Sequence, residues 1–215
     1  MQMNHNILPK DKQDFKSVEA LARLERSMII PLLPELLEWL QDMNWPIAAE
    51  IVDLLSKYTS ETIPHIKTIF SQSDTGWIYN ILAYLINKWD TDLVSRLSSS
   101  LGELAHTIDI YEDTDLLSIE ILWKHQLIAL NEATALLARK RSHIENSLLT
   151  FTAEQKVMFS ELENEQQHIL NTDVGQIVNY CERNNKSLMQ KDQYDNSLRR
   201  YEEIEATIRR ISAFT

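Results

Sequence analysis

Leu33, Leu36, Leu37 and Leu40 recur at three- and four-residue spacing, so they share one helical face. Glu35, Glu38 and Gln41 fall largely on the other face. Asn44 suits the left-handed conformation that ends a helix, and Pro46 suits the first turn of the next. Trp39 and Trp45 bracket this corner and are read as its fastening. The same logic extends outward in both directions. Asp14 is a good N-cap for a helix over residues 15–29, striped by Val18, Leu21, Ala22 and Leu24. A second helix covers residues 32–43. A third runs from about 46 to 58, burying Ile47, Ile51, Val52, Leu54 and Leu55. Ser60 or Thr62 caps a fourth, Asp74 a fifth through Trp77, Ile78, Ile81, Leu82, Leu85 and Ile86, and Asp90 a sixth through Leu93 to Leu104.

From residue 113 the pattern lengthens. Residues 115–149 contain no Gly or Pro and carry the stripe Ala133, Leu137, Ile144 and Leu148. Thr152 and Gln155 have capping-box spacing. A last helix starts near Thr172 or Asp173, and Asn184-Asn185 is a place for it to bend or break. The expected fold is all-α. Residues 1–122 form a HEAT-like array of short antiparallel helices, and residues 123–215 a long-helix hairpin or three-helix bundle.

Composition supports this reading, with three glycines and five prolines in 215 residues. No apolar run reaches the roughly 20 residues of a membrane span, and no apolar leader follows residues 1–6, so a cytoplasmic protein is expected. The one cysteine, Cys181, excludes an internal disulfide and lies on an apolar stripe, which predicts a buried hydrophobe. Charge is uneven. Residues 1–122 hold 19 acidic and 9 basic residues, a net of −10, whereas residues 123–215 hold 13 and 12, a net of −1.

Chemistry is sparse. No two of His5, His65, His106, His125, His143 and His168 stand three or four apart. Glu103 with His106, and Glu165 with His168, have the Glu-x-x-His spacing of di-metal bundles, which would need further carboxylates such as Glu120 or Glu132. No nucleophile elbow or glycine-rich phosphate loop is present, so no catalytic residue and no cofactor are assigned. The five tryptophans are read as core and corner packing. Arg139-Lys140-Arg141 and Arg209-Arg210 are the basic clusters, and a net charge of −11 argues against nucleic acid. Asp109, Glu112, Asp113 and Asp115 crowd the junction between the halves, followed by Glu120. They are read either as solvated caps or as a patch that steers a basic partner.

Three runs carry a resemblance. They are Leu8-Pro9-Lys10-Asp11-Lys12-Gln13-Asp14, then Leu36-Leu37-Glu38-Trp39-Leu40-Gln41-Asp42-Met43-Asn44-Trp45-Pro46, then Ile63-Pro64-His65-Ile66-Lys67 with Asp74 to Trp77. Over residues 7–122 the chain resembles a bacterial family of small helical domains of unknown function. The resemblance implies a HEAT-like fold and brings no catalytic residues. Families of this kind often lie among toxin-immunity genes. Residues 123–215 are similar, in stripe spacing alone, to the helical hairpins of export chaperones. The expected function is therefore non-catalytic protein binding, with a basic toxin domain as partner. An export chaperone or adaptor is the alternative, and a metal-binding bundle enzyme the second.

Overall fold

The structure, a computed structural model, describes residues 7–171 and 173–213. Residues 1–6 with His5, and Thr172, lie outside the described residues. No strand occurs among those described, and the chain is all-α. It divides into two compact units, Met1–Ala133 and Thr134–Thr215. No helix is long and apolar enough to cross a membrane among the described residues.

The first unit is built from α1 (Phe15–Leu21), α2 (Arg26–Ile29), α3 (Leu33–Glu38), α4 (Ala48–Leu55), α5 (Thr59–Phe70), α6 (Thr75–Asn80), α7 (Thr91–Ser95), α8 (Ser98–His106) and α9 (Thr114–Lys124). Its core is aliphatic: Leu21, Ile29, Leu33, Leu36, Leu37 and Leu40 are fully buried. The expected caps Asp14, Asp74 and Asp90 accept the N–H groups of Ser17, Trp77 and Leu93 at 3.2, 3.0 and 3.0 Å.

Several expected helices are shorter than the stripe suggested. The first ends at Leu21, and the chain re-enters helix only at Arg26. Arg26 then donates to the Glu61 carboxylate at 2.8 Å and to the Lys57 carbonyl at 3.0 Å, which ties α2 to α5 and to the turn before it. The fifth changes from α to a π turn over Ile81–Leu85 and a 3-10 turn over Ile86–Lys88. Ile81, Leu82, Leu85 and Ile86 all lie inside, on the one face that their spacing predicts. The long helix expected over 115–149 is broken. Gln126 takes a left-handed φ of 57°, its N–H reaches the Trp123 carbonyl at 2.9 Å, and the Leu127 N–H reaches the Leu122 carbonyl at 2.8 Å. That pair of bonds is a Schellman ending, made without glycine.

The second unit holds most of α10 (Leu130–Leu149), then α11 (Ala153–Ile169) and α12 (Val174–Ser212). Thr152 and Gln155 form the expected capping box, and Asp173 caps α12 through the Gln176 N–H at 3.1 Å. Asn184-Asn185 does not break α12, which runs 39 residues without interruption. The contacting pairs run antiparallel along its whole length. Arg141 meets Glu205 at 3.3 Å, Ser147 lies 3.5 Å from Ser197, Phe159 packs on Tyr194, and Glu165 pairs with Arg183. Thus α10 and α11 lie end to end as one arm of a hairpin, with α12 as the other. The joint between them is filled by Phe151, whose ring stands 5.9 Å from Phe159 and 5.3 Å from Tyr194. Cys181 is exposed, against expectation. A two-armed hairpin covers only one side of each helix, so a stripe residue off that seam stays in water.

Candidate functional site

The corner after α3 is held by groups the sequence did not single out. The Trp77 indole N–H donates to the Leu37 carbonyl at 3.0 Å, and the Asn80 amide donates to the Leu40 carbonyl at 2.9 Å. The Leu37 carbonyl takes the indole bond in addition to a capping backbone N–H, and Leu40 lies in the 3-10 turn that follows α3, where the helical ladder runs out. Asn44 is not left-handed; its N–H turns onto the Asp42 carboxylate at 2.9 Å. Trp39 and Trp45 meet edge to face, with centroids 5.4 Å apart and planes at 74°. Both are only half-buried, so they do not serve as core.

Against this pair lies the segment before α1. Asp11 accepts the Gln13 N–H at 2.8 Å, and Asp14 accepts the Lys10 N–H at 3.1 Å and the Ser17 hydroxyl at 2.7 Å. The Ser17 hydroxyl foremost, with the Lys10 N–H, holds the Asp14 carboxyl below its ordinary value of 3.8. The knuckle so fixed sends Lys12 across the Trp45 ring, its Nζ 4.6 Å from the centroid. Between the two segments opens a cleft of about 830 Å³, lined by residues 8–13 and by Glu35, Glu38, Trp39, Gln41 and Trp45. Glu35 Oε2 and Trp45 Nε1 are buried and make no hydrogen bond with a described residue. Two runs that carry the family resemblance, separated in the chain by residues 15–35, meet here.

The acidic junction is arranged differently from the expected patch. Asp109 is 8% exposed. Its carboxylate accepts the N–H groups of Tyr111 and Glu112 at 3.0 Å each and the Thr114 hydroxyl at 2.7 Å. Burial raises its pKa, but the bonds from Glu112, Thr114 and Tyr111 outweigh it and leave the carboxyl below 3.8. Asp109 thus staples the loop that starts α9. Asp113, at a left-handed φ of 59°, occupies the N-cap position without a side-chain cap bond. Asp115 is fully buried, and Glu112 is exposed. The four residues therefore do not form a solvent-facing patch, because a carboxylate that organises its own loop is turned inward by the donors it serves.

Among the described residues no group of three or more His, Cys, Asp or Glu could hold a metal ion. His106 and His168 are exposed, and Glu165 pairs with Arg183. His125 is buried with Nδ1 3.0 Å from the Thr91 hydroxyl. Burial first, and Lys124 second, lower its pKa below 6.5, against the pull of Asp90. This pair joins the start of α7 to the end of α9.

A search of curated proteins finds no match. Residues 7–122 match the sequence profile of a domain of unknown function, DUF5071, and this span takes in α1 to α8, most of α9 and the whole cleft. The chain belongs to the DUF5071 family.

Proposed function

We propose that this protein is a non-catalytic binding protein that captures another protein through its first unit. The cleft carries the reading. It presents two half-buried tryptophans in edge contact, ringed by Glu35, Glu38, Gln41 and Lys12. Aromatic anchors with a polar rim are the usual make-up of energetic centres in protein interfaces. The net charge of −10 over residues 1–122 favours a basic partner and speeds its approach. Within the acidic junction, exposed Glu112 is the charge best placed to contribute to that steering. A bacterial toxin domain fits such a partner. A HEAT-like description of the first unit and a cytoplasmic site of action belong to the same proposal.

The test is affinity purification of the tagged chain from its native cell after cross-linking, repeated with Glu38→Lys. One basic protein should co-purify with the wild type, fade with added salt and be lost with Glu38→Lys. No partner, or a partner indifferent to both changes, rejects the reading.

A second reading has its own observation. Val157, Val174, Val178 and Met189 on α11 and α12 are exposed apolar side chains, with Val174 at 74%. They support an adaptor or export chaperone that cradles a partner's helix. That reading expects the captured protein to be lost with Val174→Asp and Val178→Asp and kept with Glu38→Lys.

A further inference from the structure

We infer that the cleft between the Lys10–Gln13 knuckle and the Trp39–Trp45 pair is a seat for an arginine side chain presented by an extended segment of the partner, an inference that rests on the protein-binding reading above. Glu35, which lines this cleft, has its Oε2 buried and receives no hydrogen bond there from a described residue. A carboxylate oxygen is satisfied by accepting, and with none of the described residues donating to this one, a donor from a partner can serve it. Trp45 lines the same cleft with its indole N–H buried and without an acceptor. A ligand that satisfies both must carry donors and an acceptor together. A peptide does so, with a guanidinium for Glu35 and a backbone carbonyl for the indole.

Lys12 shows that the aromatic wall takes a cation. Its ammonium stands 4.6 Å from the Trp45 ring centre and makes no ion pair with a described carboxylate. It is exposed and held only by its own chain, so it acts as a tethered stand-in that an incoming cation displaces. Arginine fits better than lysine because its planar fork pairs with a carboxylate while its face stacks on indole. An acidic ligand would meet Asp11, Glu35 and Glu38 instead.

The experiment uses the ¹⁵N-labelled full chain and three small probes: the Nα-acetyl amides of arginine, lysine and glutamate. The chain has five tryptophans, each giving one indole N–H signal. The arginine probe should move the Trp39 and Trp45 signals and leave that of Trp77, which is bonded to the Leu37 carbonyl. It should saturate at a lower concentration than the lysine probe, and the glutamate probe should do nothing. Glu35→Gln should weaken arginine binding roughly tenfold, since a charge-assisted bond becomes a neutral one. Glu19→Gln removes the same charge outside the cleft and should change binding by less than about twofold. Lys12→Met should strengthen it about two- to fivefold by removing the stand-in.

Equal effects of Glu35→Gln and Glu19→Gln, or movement of all indoles together, would mean mere attraction to an acidic protein and would overturn the inference. If Glu35→Gln unfolds, Lys12→Met decides, and unchanged or weaker arginine binding by that exposed variant overturns it. A protein partner captured through Glu38, with no response to the arginine probe, defeats this inference alone. Arginine seated in the cleft, with no partner in the cell, defeats the protein-binding reading alone.

Discussion

The two units solve the same problem in different ways. Every helix end leaves backbone groups without helical partners. The first unit has many ends, and its polar side chains are committed to them. Asp14, Asp74, Asp90 and Asp109 take N–H groups, while Trp77, Asn80, Arg26 and Lys124 reach carbonyls. The second unit has long helices that satisfy themselves, and there many polar side chains pair with each other: Arg141 with Glu205, Arg183 with Glu165, Lys191 with Asp195. The Tyr180 hydroxyl, by contrast, crosses from α12 to the Leu162 carbonyl of α11 at 2.7 Å. Charge in the first unit is therefore partly structural, and charge in the second lies mostly at the surface, with Arg200 and Lys140 buried as exceptions.

If that contrast holds, the largest loss comes from removing a side chain that serves several ends. Asp109→Ala should cost about 2–4 kcal/mol in urea unfolding, because it strands the N–H groups of Tyr111 and Glu112 and the buried Thr114 hydroxyl together. Asp109→Asn should cost less. The pH dependence has a definite sign. The folded carboxyl lies below 3.8, so its stabilisation is complete above that value and disappears as pH falls through the lower folded value. The gap between wild type and Asp109→Asn should shrink over that acid range, and a gap that widens there would contradict the assignment.

Trp77→Phe keeps most of the ring but removes the indole donor, leaving the Leu37 carbonyl only its backbone capping bond, with an expected loss of about 0.5–1.5 kcal/mol. A loss near zero would show that the corner does not need the bond. Gln126→Gly should instead stabilise by roughly 0.5–1 kcal/mol, since glycine takes the left-handed C-cap without strain. The smallest effect belongs to the second unit. Glu165→Gln breaks an exposed ion pair and should cost at most about 1 kcal/mol, shrinking as salt is added. A larger cost than that of Asp109→Ala would reverse the contrast between the units.

What could be read from the sequence follows the same division between local and distant. The caps Asp74, Asp90 and Asp173 and the Thr152–Gln155 box involve residues three apart, and each was legible. The breaks after Leu21 and at Gln126 were not, because neither uses Gly or Pro. Asp109 was noticed for its charge, but the turn that folds its loop back onto it gave no periodic sign. The cleft was half legible. Both of its walls stood out as distinctive runs, yet nothing along the chain said that they face each other. Cys181 was misplaced because a stripe tells which side of a helix is apolar, not whether another helix covers it.

The joint at residues 150–152 has a consequence for how the hairpin tolerates changes in length. Pairing across the two arms is counted outward from the turn before α12, so a residue inserted within α11 would slide every more distant pair out of match. At the joint the helical count stops and starts again under the Thr152 cap. An insertion or deletion there is absorbed in the turn, and only the aromatic filling of Phe151, Phe159 and Tyr194 has to rearrange. Related chains of different length should therefore differ at this point in the first arm, while α12 has no comparable place to gain or lose a residue.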